Sequence, residues 1–188
     1  MHAPDAPPVE PGAQRSLRAL LRAGPVARTI AKADLRAYRA IRTAARPPAV
    51  DVVGRFSSLG EHAALWIVLG AGGMALDPRN RARWRRALMA VVGTYAVNTA
   101  VKGVFRRARP SFEDLPALVA TPTALSFPSA HASSSFAAAR AYSALLPAGP
   151  LYALAAAMAL SRVYLGVHYP TDIAAGALLG TIAGSAGR

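Results

Sequence analysis

The sequence predicts an all-helical integral membrane bundle of about five transmembrane helices, preceded by an amphipathic helix at the membrane surface. Three observations lead there. Of 188 residues, 53% are apolar and 16% charged, which is too apolar for an ordinary soluble domain of this length. Beyond Asp51 the apolar residues gather into blocks separated by short polar stretches. Ahead of those blocks, basic residues recur at helical spacing.

Residues 1–14 are proline-rich and without periodicity, and lack the charged start, apolar stretch and cleavage site of a signal peptide. They read as a disordered leader. From Arg15 to Arg46, basic side chains fall mostly three to four apart, with Leu17, Leu20, Leu21, Ile30, Leu35, Tyr38 and Ile41 between them. That spacing makes an amphipathic helix, interrupted near Gly24-Pro25 and ended by Arg46-Pro47-Pro48, so residues 15–48 form a basic helical segment. Such a segment suits either anionic lipid or nucleic acid. The apolar remainder and the lack of any helix-turn-helix, zinc finger or aromatic RNA platform favour the bilayer and no nucleic acid.

Residues 49–188 form the membrane-embedded unit, with apolar blocks at about 56–76, 87–105, 130–147, 150–166 and 172–186. The second to fourth approach the ~20 residues that cross a ~30 Å hydrocarbon core, and the last is marginal. Gly70, Gly72, Gly73, Gly176, Gly180 and Gly184 suit close helix contacts in lipid. Arginine dominates both the 77–86 loop and the segment before Phe56, so the positive-inside rule is nearly balanced; the long basic N-terminal stretch tips it toward a cytoplasmic N-terminus and a cytoplasmic 106–129 loop.

With no cysteine, disulfides, thiolate zinc sites, iron–sulfur clusters and cysteine nucleophiles are excluded. Of the 22 basic residues only Lys32 and Lys102 are lysine, which points to a GC-rich coding genome and to a specific need for the ammonium at those positions. Charges at the ends of apolar helices are costly, and three polar islands carry them here. In the first, Thr94, Asn98 and Lys102 share one helix face, followed by Arg106, Arg107 and Arg109-Pro110. As a bland alternative this is a helix end anchored at lipid headgroups. The second is Pro128-Ser129-Ala130-His131, where Ser129 is either a helix cap or a donor to an anion held by the free N–H groups of the helix start. The third runs from Ser161-Arg162 to His168, Tyr169-Pro170 and Asp172, with Asp172 one turn from the imidazole it can orient.

Together the islands answer one chemical need. Lys102, Arg109 and Arg162 supply three cations, Ser129 a hydroxyl, and the backbone at Ala130 and His131 N–H dipoles, enough to surround a phosphate. His168, oriented by Asp172, is then the nucleophile and His131 the proton donor. The fixed cations neutralise the charge that Mg²⁺ neutralises in kinases, so no metal or other cofactor is expected.

Lys102-x6-Arg109-Pro110, Pro128-Ser129-Ala130-His131 and Ser161-Arg162-x5-His168-x3-Asp172 resemble the three signature motifs of the type 2 phosphatidic acid phosphatases, the PAP2 superfamily. The resemblance covers residues 94–176 well and excludes the first 50. It implies an all-helical fold shared with vanadium-dependent haloperoxidases and metal-free dephosphorylation of a membrane lipid through a phosphohistidine. It also implies that Lys102, Arg109, Ser129 and Arg162 bind phosphate, that His131 is the general acid, His168 the nucleophile and Asp172 its support. Ala130 stands where the family usually has glycine, which keeps the N–H but adds a methyl that either narrows the pocket or requires a slightly different turn. Small members of the family act on phosphatidic acid, phosphatidylglycerophosphate, polyprenyl diphosphates or decaprenylphosphoryl-5-phosphoribose. Coding bias, size and short loops favour the last, and place the chain in the bacterial plasma membrane. A vanadate-binding haloperoxidase and a noncatalytic membrane scaffold are the competing classes. Glu61-His62 is expected at the bilayer interface rather than in the pocket, and Arg140, inside an apolar block, needs an unnamed partner.

Overall fold

The computed structural model describes residues 24–188; the proposed leader and the start of the basic segment, 15–23, lie outside the described residues. Among the described residues are seven α-helices: α1 (Pro25–Thr43), α2 (Pro47–Ser58), α3 (Ala64–Leu76), α4 (Arg81–Phe105), α5 (Ala130–Tyr142), α6 (Ala148–Tyr164) and α7 (Pro170–Gly184). Single 3₁₀ turns at Glu61–Ala63, Pro78–Asn80 and Ser185–Gly187 complete the helical content. Proline opens α1, α2 and α7, where its missing N–H would have lacked a helical partner anyway.

Two sequence expectations are corrected here. Pro47-Pro48 ends the preceding helix as expected but also begins α2, so a boundary between 48 and 49 falls inside a helix. The apolar block 56–76 is not one helix, because the chain turns between α2 and α3 with His62 at φ 49° and Ala63 at φ 61°. Both are non-glycine residues in the left-handed region, so composition carries no sign of the break.

The α1 helix packs its Asp34, Tyr38 and Arg42 face onto the rest of the chain while Arg28, Lys32, Arg36 and Arg39 stay exposed. The Tyr38 hydroxyl donates to Gly166 O at 3.3 Å, and Arg42 Nη2 to Pro116 O at 2.6 Å. Gly166, at φ +79°, has no space for a Cβ, which would sit 2.6 Å from Arg42 Nε.

At the centre lies α5, enclosed by α4, α6 and α7. Its residues from His131 to Tyr142 are buried, except that Phe136 and Arg140 are half-buried. Gly176, Gly180 and Gly184 form a stripe on α7 that rides directly over the backbone carbonyls of Ser129, Ser133 and Ala137. Ser133 and Ser134 return their hydroxyls to the carbonyl of Ala130, and Ser135 accepts from Trp66 Nε1 at 2.8 Å. Beyond them Trp84 stacks obliquely on Tyr142, whose hydroxyl donates to Trp66 O. Arg140 finds its partner in Ser185, donating from Nε at 3.1 Å.

By length and composition one helix, Pro78–Phe105, qualifies alone as a membrane span; Pro47–Ser58 and Glu61–Leu76 qualify together as a pair bent by 45°. The helices α5, α6 and α7, at 13, 17 and 15 residues, are shorter than the ~20-residue criterion. A helix walled in by protein, as α5 is, needs no apolar surface of its own. The apolar surface lies instead on the perimeter: Val68 and Leu76 of α3, Met89, Val97, Val104 and Phe105 of α4, Leu160 of α6, and Leu178 and Ile182 of α7 are all exposed.

Candidate active site

Lys102 ends the polar face of α4. Thr94, Asn98 and Lys102 are all buried, so this face points into the protein rather than at headgroups. Asn98 Nδ2 donates to Pro128 O at 3.3 Å, and Lys102 Nζ donates to the carbonyls of Leu125 and Ser126 at 3.1 and 3.3 Å. Those bonds fold the 106–129 loop back over α4, where Ala108 pairs with Leu125 and Ser126 N donates to Arg107 O. The loop thereby brings Arg109 under the α6–α7 turn, where its guanidinium donates to Val167 O at 2.8 Å and Thr123 O at 2.7 Å.

The turn after α6 holds His168, 2% exposed, with Nδ1 3.4 Å from Asp172 Oδ2 and Nε2 3.0 Å from Arg109 Nη1. The Asp172 contact is too poorly aligned for a good hydrogen bond and acts as a close charge contact. A guanidinium can only donate, so Nε2 is the unprotonated nitrogen and Nδ1 carries the proton. Burial first, then the nearby charges of Arg109 and Lys102, hold the imidazole down to about 3 against the pull of Asp172. The ring is thus neutral, with its lone pair available, across the physiological range. The unfolded ring takes up a proton near its ordinary ~6.5, so acidification below that value favours unfolding. Burial, followed by the Arg162 charge, lowers Arg109 to about 10, and it remains a cation.

Asp172 is fully buried and held on both oxygens. Oδ2 accepts from Tyr169 N at 2.9 Å in a capping box at the start of α7, and Oδ1 accepts from Arg107 Nη1 at 2.8 Å. Arg107 lies over the Tyr169 ring and donates its other nitrogen to Asp34 of α1 at 2.7 Å. Asp34 also accepts from the backbone N and the hydroxyl of Thr171. Neither Asp34 nor a role for Arg107 emerges from sequence reasoning, because the contact joins residues 73 positions apart.

Ser57 of α2, likewise absent from that reasoning, supports the opposite wall. Its hydroxyl accepts from Arg162 Nη1 at 2.7 Å, and its carbonyl lies 3.1 Å from His131 Nε2. Ser129 caps α5, its hydroxyl accepting from Ala132 N at 3.4 Å, and is fully buried beneath the cavity rather than lining it.

Lys102, Arg109, Arg162, Ala130, His131 and His168 therefore face one cavity of about 170 Å³, with Ser129 and Asp172 immediately behind its wall. Glu61 and His62 line the same cavity, correcting the expectation that they sit only at the interface. Three cations, the imidazoles of His131 and His168 and a helix start around one space can hold a phosphoryl group and exchange its substituent.

Residues 83–186 match the PAP2 superfamily model. The chain belongs to the PAP2 superfamily. The decaprenylphosphoryl-5-phosphoribose phosphatase of Mycolicibacterium smegmatis is 43% identical over 135 residues, covering 71% of this chain and 74% of that protein. That of Mycobacterium tuberculosis is 40% identical over 144 residues, covering 74% and 79%. Among solved structures, Aquifex aeolicus LpxE superposes with a TM-score of 0.69 at 26% identity, over 81% of this chain and 93% of that one. A transmembrane PAP2-type phosphatidylglycerolphosphate phosphatase from Bacillus subtilis superposes at 0.67 and 23% identity, over 92% and 90%, and shares the fold. As a PAP2 member the chain is a phosphatase, a hydrolase of phosphate esters.

Proposed function

We propose that this chain removes the terminal phosphate from decaprenylphosphoryl-5-phosphoribose at the surface of the bacterial plasma membrane, in the synthesis of a cell-wall arabinan precursor. The observation that carries the chemistry is the single cavity in which Lys102, Arg109, Arg162, His131 and His168 meet. The named relatives at 40 and 43% identity support the substrate.

Arg109 Nη1 sits against His168 Nε2, the atom that attacks. An entering phosphomonoester takes that guanidinium onto one of its oxygens, with Lys102, Arg162 and the N–H groups at the start of α5 on the others. This frees the lone pair and aims it at phosphorus. His168 Nε2 then forms the N–P bond as the P–O bond to the ribose 5-oxygen breaks, and His131 delivers a proton to that oxygen. Asp172 stabilises the positive imidazole through Nδ1–H. In the second half, His131 takes a proton from water as the water oxygen attacks phosphorus; the N–P bond breaks and inorganic phosphate leaves.

The arrangement of the chain in the bilayer follows the exposed apolar perimeter. The five spans are the bent α2–α3 pair, α4, α5, α6 and α7, with the shorter helices completed by the segments that flank them and by the protein around them. Helix α1, the 106–129 loop and the α6–α7 turn share one end through the Asp34, Arg42 and Leu118 contacts. The exposed arginines and lysine of α1 then meet anionic headgroups on the cytoplasmic side.

The test is phosphate release by purified, detergent-solubilised chain across decaprenylphosphoryl-5-phosphoribose, a polyprenyl diphosphate, phosphatidylglycerophosphate and phosphatidic acid. The highest kcat/KM is expected with the first, and a clear preference for another substrate overturns the assignment. Turnover should be unchanged in excess EDTA, since the fixed cations carry the neutralisation; loss of activity restored by added Mg²⁺ would refute the metal-free mechanism.

A further inference from the structure

The cavity walls divide by chemistry. The inner wall holds the cations and the imidazoles of His131 and His168, whereas Glu61, His62, Tyr95 and Thr99, all half-buried or exposed, line the outer part. A carboxylate is out of place in a phosphate site. The charge of Glu61 is felt by Arg109, yet among the described residues its side chain makes no hydrogen bond or ion pair. Its position is not loose. The 59–63 turn is pinned by Gly60 N to Ser57 O and Ala63 N to Gly60 O, and a Cβ on Gly60 would lie 2.7 Å from His131 Cδ2. His62 Nδ1 is hydrogen-bonded to the Tyr95 hydroxyl at 2.8 Å, which ties the turn to α4. The two consecutive left-handed residues, His62 and Ala63, are a strained arrangement of the kind retained where it places a side chain.

A carboxylate repels a phosphate dianion, so its ligand must be a different part of the substrate. It accepts best from hydroxyl groups, and a phenol and an imidazole beside it both donate and accept. We propose that Glu61, His62 and Tyr95 form a hydroxyl-reading subsite beside the phosphate cup, selecting a phosphorylated sugar headgroup over a phosphomonoester that carries no free hydroxyl. This rests on the function proposed above and identifies which residues read the sugar.

Glu61→Gln keeps the shape and removes the charge. With the purified full chain, kcat/KM for prenylphosphoryl-5-phosphoribose should fall at least about tenfold, the loss of a charged hydrogen bond. With phosphatidic acid it should stay level or rise, since a repulsive charge has gone. Wild-type protein that prefers phosphatidic acid would overturn both the function and the subsite. Wild-type protein that prefers the sugar lipid, with a Glu61→Gln variant that keeps the same preference, would overturn the subsite alone.

An independent observation concerns α1, which lies outside the matched residues 83–186. Asp34, 4% exposed, holds both Arg107 and the first turn of α7, and these two are what hold Asp172. The geometry points to Asp34 and Arg107 as positioning residues that set the carboxylate behind the nucleophile, making the N-terminal helix a working part of the site. Because neither residue lines the cavity, Asp34→Asn and Arg107→Met should each lower kcat about tenfold or more with KM changed less than about twofold. Asp34→Glu should restore much of the rate that Asp34→Asn loses. A kcat per folded molecule equal to wild type, with only the melting temperature lowered, would show a purely structural contact and refute the role.

Discussion

Replacing His168 by alanine should abolish phosphate release from every substrate, by at least about 10⁴-fold in kcat, while the protein still melts cooperatively. The expectation follows from position. The ring is the imidazole whose unprotonated nitrogen faces the cations; His131 is held through Nε2 by the Ser57 carbonyl on the far wall, and His62 through Nδ1 by the Tyr95 hydroxyl. Among the described residues no other nucleophile lines the cavity with its lone pair directed by a buried carboxylate. The cost to stability should be moderate, about 2–4 kcal/mol for the cavity left by a buried ring. Asp172→Asn should retain more activity, because the amide keeps the shape but no longer stabilises the imidazolium and leaves Arg107 without one of its two carboxylates. A His168→Ala variant that still forms phosphate would remove the nucleophile from the mechanism. Single-turnover phosphate release in detergent, with a thermal melt alongside, decides it.

The second large effect is on folding. Gly180→Ala should destabilise the bundle by about 3 kcal/mol or more, with lower yield from membranes and a lower melting temperature. A Cβ at this position collides with the Ser133 carbonyl oxygen, and with Ala137 N at 2.9 Å. These are backbone atoms of the central helix and cannot rotate aside. Separating α7 from α5 would also carry Asp172 away from Ser129, whose N–H donates to the Asp172 carbonyl at 3.0 Å. Gly93→Ala provides the contrast, since among the described residues nothing lies within 4 Å of a Cβ there and a helical alanine is favoured over glycine by about 0.5–1 kcal/mol. A melt in which both substitutions shift stability equally would refute the close-approach account.

The two predictions differ in how far the sequence foretells them. His168, with Asp172 one turn away, is legible as a candidate nucleophile and its support, and Lys102, Arg109, Arg162 and His131 as the candidate partners that share its cavity. Each sits in a short island whose spacing is set by one helix end. The stripe Gly176, Gly180 and Gly184 is legible for the same reason, since a four-residue repeat places all three on one helix face. Less of the fold's outline can be read. The break between α2 and α3 depends on left-handed φ at His62 and Ala63, which no composition rule marks. The short, serine-rich α5 does not look like a span because its neighbours, rather than its own side chains, shield it.

By itself the sequence determined that the chain is helical, apolar enough for a bilayer, and equipped with three polar islands of the kind a phosphatase uses, because helix periodicity and motif chemistry are local properties. Only the tertiary structure decided that Ser57 supports Arg162 and His131, that Glu61 enters the cavity, and that Asp34 of the N-terminal helix reaches the network behind His168. These contacts join residues as much as 137 positions apart. Nothing in the local order of side chains encodes which distant helix faces will meet; that is settled by how the glycine stripe and the folded-back 106–129 loop allow the helices to pack.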